Sequence, residues 1–209
     1  YRGSGGIWNE SKCEEYACES AFISNPDLVL DFHELRRIEA LKCKPHNGHF
    51  IINEIEHAIK NTKIITQNID GMHQRANSKD VLELHGSLWK MRCQTESTIY
   101  EDLDNGKYSR RYCDCGNILR PDIIWFQDML KEDVVQNAIG LISSCDLFVS
   151  IGTSAVVYPA AGFPRLAKDS GAYCIEINPE KTELSQIFDE VIREKASNGL
   201  GLLKKQIMD

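Results

Sequence analysis

Between Lys63 and Gly86 the chain sets side chains of different acid–base character at the ends of two short apolar runs. Ile64-Ile65-Thr66 passes directly into Gln67-Asn68-Ile69-Asp70, and Val81-Leu82-Glu83-Leu84 ends on His85-Gly86. A β-branched run that terminates in polar groups is how a buried parallel strand delivers side chains to its carboxyl end, where ligands bind in open α/β sheets. Two such ends aim Gln67, Asn68, Asp70 and His85 at one place. A histidine, with an ordinary pKa of about 6.5, suits proton transfer near neutral pH. Taken singly, Asn68 and Asp70 would equally cap a helix and His85 would sit in a turn.

The elements around this stretch alternate. Asp133 to Ser144 reads as a helix. Asp146 to Ile151 reads as a strand ending on Gly152-Thr153-Ser154, small residues that let backbone and hydroxyls approach a ligand. A helix starts at Tyr158-Pro159-Ala160-Ala161, and Ala172 to Ile177 is a further strand ending on Asn178-Pro179-Glu180. Strands alternating with helices predict a parallel, doubly wound sheet. The 209 residues, 42% hydrophobic, are enough for one core with a small appended module. A net charge of −7 argues against nucleic acid as an electrostatically captured partner and is compatible with basic, lysine-bearing proteins. No apolar run approaches the ~20 residues that span a bilayer, so the chain reads as soluble.

The remaining segments supply loops and an insertion. Tyr1-Arg2-Gly3-Ser4-Gly5-Gly6-Ile7-Trp8 is a glycine-rich loop running into an aromatic residue. Cys13 to Lys42 has helix character, with a start signal at Asn25-Pro26-Asp27 and an apolar face from Leu28, Leu30, Phe32, Leu35, Ile38 and Leu41. His33 and Arg36 share one face of that helix, an exposed basic face in the plain reading. Phe50, Ile51, Ile55, Ala58 and Ile59 give the next helix its apolar stripe. Thr95 to Arg111 reads as a surface hairpin, and Asp122 to Asp128 as an apolar-aromatic strand. Cys93, Cys113 and Cys115, with Glu96 three residues after the first, could make a tetrahedral metal site; a reduced, metal-free loop is the other reading. The eight cysteines are scattered, as in a reducing compartment.

Thr66-Gln67-Asn68-Ile69-Asp70-Gly71-Met72-His73 and Glu83-Leu84-His85-Gly86-Ser87-Leu88 resemble the NAD-binding and catalytic segments of the sirtuins, the NAD-dependent protein deacylases. The resemblance covers nearly the whole sequence. It implies an α/β fold, a Rossmann-like doubly wound parallel sheet with a smaller inserted helical and zinc-type module. Residues 1–12, 50–89 and 118–209 would form the NAD-binding domain and residues 13–49 and 90–117 the small one. The family's first strand and Gly-Ala-Gly turn, which cradle the NAD diphosphate, have no counterpart here. The sequence therefore reads as a fragment of a longer protein, with a degraded copy as the alternative.

On this resemblance Tyr1, in place of phenylalanine, and Arg2 belong to the loop that folds over the nicotinamide ribose. Gln67, Asn68, Ile69 and Asp70 contact NAD from the central stretch. Gly152, Thr153 and Ser154 contact its adenosine half, Asn178, Pro179 and Glu180 its adenine ribose, and Ala196 the adenine. Ile124, Trp125 and Phe126 line the lysine tunnel, where a substrate peptide adds as a strand. Pro45-His46-Asn47-Gly48-His49 is similar to the segment that opens the helix leading back to the NAD domain. Phe32-His33-Glu34-Leu35-Arg36-Arg37 resembles the segment by which the bacterial and mitochondrial class III, desuccinylase-like subgroup holds acidic acyl groups, with His33 for its tyrosine. Arg36 would fork onto the acyl carboxylate, and a protonated His33 would make the preference pH-sensitive.

The activity so implied is NAD-dependent deacylation of acyl-lysine proteins. The acyl oxygen attacks the ribose, nicotinamide leaves, and His85, with Asn68 and Asp70 beside it, acts as general base on the ribose hydroxyls to give O-acyl-ADP-ribose. NAD hydrolysis or ADP-ribosyl transfer in the same cleft, and a catalytically impaired NAD- or ADP-ribose-binding module, are the alternatives. The expected setting is a monomer in the cytoplasm without nucleic-acid or membrane partners. Mitochondria stay open, because any upstream targeting signal lies outside the sequence.

Overall fold

The computed structural model describes residues 13–103, 105–126, 128–154 and 156–208, with side chains from Glu15 onward. Tyr1 and Arg2 lie outside the described residues. The chain divides into two compact units. One gathers the described residues up to Lys44 with Asn68–Gly71 and Glu83–Leu130, and the other Pro45–Gln67, Met72–Leu82 and the residues from Lys131. The first unit thus takes residues 68–71, 83–89 and 118–130, which the sequence reading assigned to the NAD-binding domain.

The first unit opens with α1 (Cys13–Tyr16), α2 (Glu19–Ser24) and α3 (Pro26–Lys42). Asn25 caps α3, accepting from the Leu28 N–H at 3.1 Å, with Pro26 in the first turn. The buried face of α3 follows the apolar one read from the sequence only in part, at Leu30 and at Leu41, which packs against the core. Leu28 and Leu35 are exposed, while Val29, Leu30, His33, Glu34, Arg36 and Arg37 are buried. Burying charge is tolerable only where it is paired, and Arg37 shows how. Its guanidinium donates to the carbonyls of Leu88 at 3.1 Å, Asp102 at 2.6 Å and Asn105 at 2.6 Å, pairs with the Asp102 carboxylate at 3.2 Å, and lies over the Trp89 and Tyr108 rings. Asp102 and Tyr108 are consequently buried, while Leu103, Asn105, Lys107 and Ser109 around them stay exposed.

That unit's sheet is antiparallel, in the order β4-β3-β5, from β3 (Gly86–Arg92), β4 (Ile99–Glu101) and β5 (Arg120–Ile123). Met91 pairs with Tyr100 on one side and Pro121 on the other. The strand expected over Asp122 to Asp128 ends at Ile123, because the Asp128 carboxylate takes the Trp125 N–H at 3.0 Å and turns the chain. Phe22, Leu30, Leu88, Trp89, Met91, Leu119, Ile123 and Trp125 fill the core.

The second unit holds α4 (Asn47–Ala58), β1 (Ile64–Thr66), α5 (Met72–Arg75), α6 (Glu132–Ser143), β6 (Leu147–Ile151), α7 (Phe163–Asp169), β7 (Tyr173–Ile177), β8 (Glu190–Ile192) and α8 (Ala196–Met208). β1 pairs with β2 (Val81–Glu83) as a two-stranded sheet, and β6-β7-β8 form a parallel one, Leu147 opposite Tyr173 through Ile151 opposite Ile177. Parallel strands covered on both faces read as near-continuous apolar runs; β7 is buried from Cys174 to Ile177 but carries Glu176 within it, and β6 is mostly half-buried. Ile51 and Ile55 of α4 and Leu200 and Leu203 of α8 pack against Ile175, Ile177 and Ile192; Phe50 stands outside, exposed.

Candidate functional site

In the first unit the site is stitched together by backbone bonds. Leu84 and His85 make the turn between β2 and β3, and Gly86 opens β3 with φ +74°. A Cβ there would stand 1.9 Å from the Asp122 carbonyl oxygen, so only glycine lets the β3 and β5 backbones meet beside His85. The His85 carbonyl accepts from the Ile124 N–H at 2.9 Å, the Ile69 carbonyl from the Leu88 N–H at 2.9 Å, and the Asp70 carbonyl from the Trp89 indole N–H at 2.8 Å. Three segments, 68–70, 84–89 and 123–125, are thereby held in one unit. Ile69 is buried, Asp70 and His85 are half-buried and Asn68 is exposed.

Of the residues expected to line the substrate, Trp125 is buried, Ile124 half-buried and Phe126 exposed. Trp125 donates its indole N–H to His33 Nε2 at 3.2 Å, and the two rings stack 14° from parallel. His33 is fully buried. Burial first, and the positive charge of Arg36 beside it, push its pKa down to about 3. This corrects two expectations: His33 and Arg36, 6% exposed, are no exposed basic face, and His33 stays neutral at physiological pH. Arg120, also buried, lies over the Trp125 ring at 3.6 Å and pairs with Glu19 and with Asp128 at 2.7 Å. It braces the turn that carries Trp125.

In the second unit the ends of two parallel strands carry the other expected residues. Gly152 follows β6 with φ +62°, and among the described residues no atom beyond its chain neighbours lies within 4 Å of where its Cβ would be. Gln67 Nε2 approaches Thr153 Oγ1 at 3.4 Å, and Asn178 Nδ2 donates to the Thr153 carbonyl at 2.8 Å. Ser154, Pro179 and Glu180 are exposed, and Ala196 starts α8. His46 caps α4, its Nδ1 accepting from the Gly48 N–H at 3.0 Å, and His49 Nδ1 accepts from the His46 N–H at 3.2 Å.

Cys93, Glu96, Cys113 and Cys115 come together with their four ligand atoms within 4.8 Å of one another. Cys93 Sγ stands 3.6 Å from Cys115 Sγ, close to the ~3.8 Å that separates two thiolates on a tetrahedral zinc. Each sulfur has a polar neighbour: the Glu96 N–H at Cys93, the Tyr100 hydroxyl at Cys113 and the Asn117 side chain at Cys115. The backbone and side-chain N–H groups of Asn117 hold the Cys115 thiol below its usual range. The donor set fits a zinc ion.

Sequence reasoning missed Glu176 and Arg193. Glu176 sits in β7, 2% exposed, and accepts from Thr182, Ser185 and Arg193. Burial would raise its carboxyl, but the two hydroxyls and the guanidinium outweigh that and hold it below the ordinary range. The signal was present as a carboxylate inside the run Cys174-Ile175-Glu176-Ile177, since a charge in a buried strand demands a partner.

The sequence profile of the Sir2 family matches residues 1–159. The chain is 43% identical over 202 residues to an NAD-dependent protein deacylase of Aquifex aeolicus (strain VF5), covering 96% of this chain and 84% of that protein. A solved Sir2 homologue in complex with ADP-ribose superposes with a TM-score of 0.91 at 35% identity, over 100% of this chain and 84% of that one. A Sir2 homologue with NAD superposes with a TM-score of 0.89 at 36% identity, over 100% and 82%. The fold is the Rossmann-like α/β fold of those structures, and by profile, sequence and structure together the chain belongs to the Sir2 family, the sirtuins.

Proposed function

We propose that the protein is an NAD-dependent protein-lysine deacylase. The observation that supports this most directly is the bonding of the 84–89 segment at both ends, His85 to Ile124 and Leu88 and Trp89 to Ile69 and Asp70, in a Sir2-family chain. NAD, when bound, supplies the ADP-ribosyl group that receives the acyl group as nicotinamide leaves. Gly152, Thr153, Ser154, Asn178, Pro179, Glu180, Ala196 and Gln67 would hold its adenosine half, and Asn68, Ile69 and Asp70, with Tyr1 and Arg2, its nicotinamide ribose. His85 removes the proton of a ribose hydroxyl as general base. Ile124, Trp125 and Phe126 hold the acyl-lysine and exclude water.

Arg36, whose planar guanidinium can fork onto a carboxylate, supports a preference for acidic acyl groups of the class III kind. A neutral His33 gives that preference no strengthening on acidification. We also propose that Cys93, Glu96, Cys113 and Cys115 hold a structural zinc, which would fix the loops between β3 and β5. The large domain would comprise residues 1–12, 50–89 and 118–209 and the small one residues 13–49 and 90–117. A reducing compartment is supported by the scatter of the eight cysteines along the sequence, which sets them in no disulfide-framework spacing.

The test is nicotinamide release from NAD with matched acetyl-, succinyl- and malonyl-lysine peptides. His85→Ala is expected to lower kcat by at least about a hundredfold while NAD binding, measured by calorimetry, stays within about twofold of the unmodified chain. An unchanged rate would remove His85 from its role. NAD consumption without deacylated peptide would favour a hydrolase.

A further inference from the structure

The segment between β7 and β8 is held by more than its own turns. Asn178 is 9% exposed and its side chain is engaged at both ends: Oδ1 accepts from the Glu180 N–H at 3.1 Å and Nδ2 donates to the Thr153 carbonyl at 2.8 Å. Arg193 follows directly on β8. Its Nη1 donates to the Glu176 carboxylate at 2.8 Å and to the carbonyls of Asn178 at 3.2 Å and Glu180 at 2.9 Å, and its Nη2 to Ser185 Oγ at 2.8 Å. Glu176 is anchored from the other side by Thr182 Oγ1 and Ser185 Oγ, each at 2.6 Å.

The Glu176 side chain is 3% exposed but that of Arg193 is 35% exposed, and an ion pair screened by water on one side is a weak source of stability. What this one provides is geometry. One planar guanidinium fixes two carbonyls and a hydroxyl against a carboxylate that the parallel sheet holds rigid, and Asn178 carries that order to the Gly152–Ser154 loop.

We propose that Arg193, seated on Glu176, is a positioning residue for the adenosine half of the dinucleotide: it touches no ligand but sets the spacing of the Asn178–Glu180 and Gly152–Ser154 loops. This rests on the reading of those loops as the adenosine site.

The experiment measures ADP-ribose binding by calorimetry, and steady-state kinetics, on the full chain, Arg193→Lys and Thr182→Val. Lysine keeps the charge, but a compact ammonium does not reproduce the planar fork across four acceptors. Arg193→Lys is expected to weaken ADP-ribose about tenfold, the scale of one or two charged hydrogen bonds. The KM for NAD should rise by the same factor, with kcat at saturating NAD and the KM for acyl peptide unmoved. Thr182→Val, which removes a single hydroxyl donor from Glu176, is expected to cost about threefold. A general loss of structure would lower kcat and peptide binding as well. ADP-ribose affinity within twofold of the unmodified chain in Arg193→Lys overturns the proposal; if that variant does not fold, Thr182→Val decides it by the same criterion. Failure of the unmodified chain to bind ADP-ribose overturns the adenosine site itself, and this inference with it.

Discussion

His33 shows how a single buried side chain can link the packing around Trp125 to pH. Its Nε2 accepts the Trp125 indole N–H, so the proton of the neutral ring sits on Nδ1, and an imidazolium would set two donors against each other in a site that excludes water. With the folded pKa down at about 3 and the unfolded value about 6.5, the unfolded chain binds one more proton between those limits. Stability is therefore fully present above about pH 6.5 and falls as pH drops towards 3, by up to about 1.4 kcal/mol per pH unit. Gln at this position can still accept the indole N–H and cannot titrate. His33→Gln is expected to flatten the pH dependence of the thermal midpoint between pH 6 and 4; a slope equal to that of the unmodified chain would show that His33 is not the group responsible.

Among the elements, the turn that joins β2 to β3 carries the catalytic proposal and is the most constrained. Gly86 combines φ +74° with a backbone approach that leaves no room for a methyl group. Gly86→Ala is expected to cost about 3 kcal/mol or more in denaturant unfolding, since strain and overlap with the Asp122 carbonyl add. It should lower kcat with the loss of His85 alignment, and a stability change under about 1 kcal/mol would mean that the two strands can separate cheaply. The sequence showed a glycine after a histidine. That the neighbour is a carbonyl from β5, more than thirty residues away, needed the antiparallel pairing. The same holds for α3. Its start at Asn25 was legible because a cap is a local interaction, while its buried face was legible only in part, because Arg37 and His33 are buried by partners distant in the chain.

For the whole molecule, the metal cluster is where distant segments and stability meet. Cys93 and Glu96 leave β3, and Cys113 and Cys115 precede β5, so a bound zinc would close a loop of about twenty residues and constrain the unfolded chain. One zinc per chain is expected by elemental analysis. Chelation should lower the thermal midpoint, and Glu96→Ala should retain the three thiols yet release the metal at lower chelator concentration. A metal-free chain with an unchanged midpoint in chelator would return these cysteines to a reduced loop.

The sequence by itself determined the family to which the chain belongs and which local runs end on polar residues. Strand ends bearing Gln67, Asn68, Asp70, His85, Thr153 and Asn178 follow from local apolar runs broken by polar residues, and such runs depend only on neighbours in the chain. The tertiary structure alone decided which polar groups are buried and what they hold. Trp125 turns onto His33, Arg37 gathers Asp102 and Asn105, and Glu176 reaches Arg193 across the sheet. The physical reason is that a charge or a ring nitrogen leaves water only when its partner is already in place, and that partner is supplied by the fold rather than by adjacent sequence.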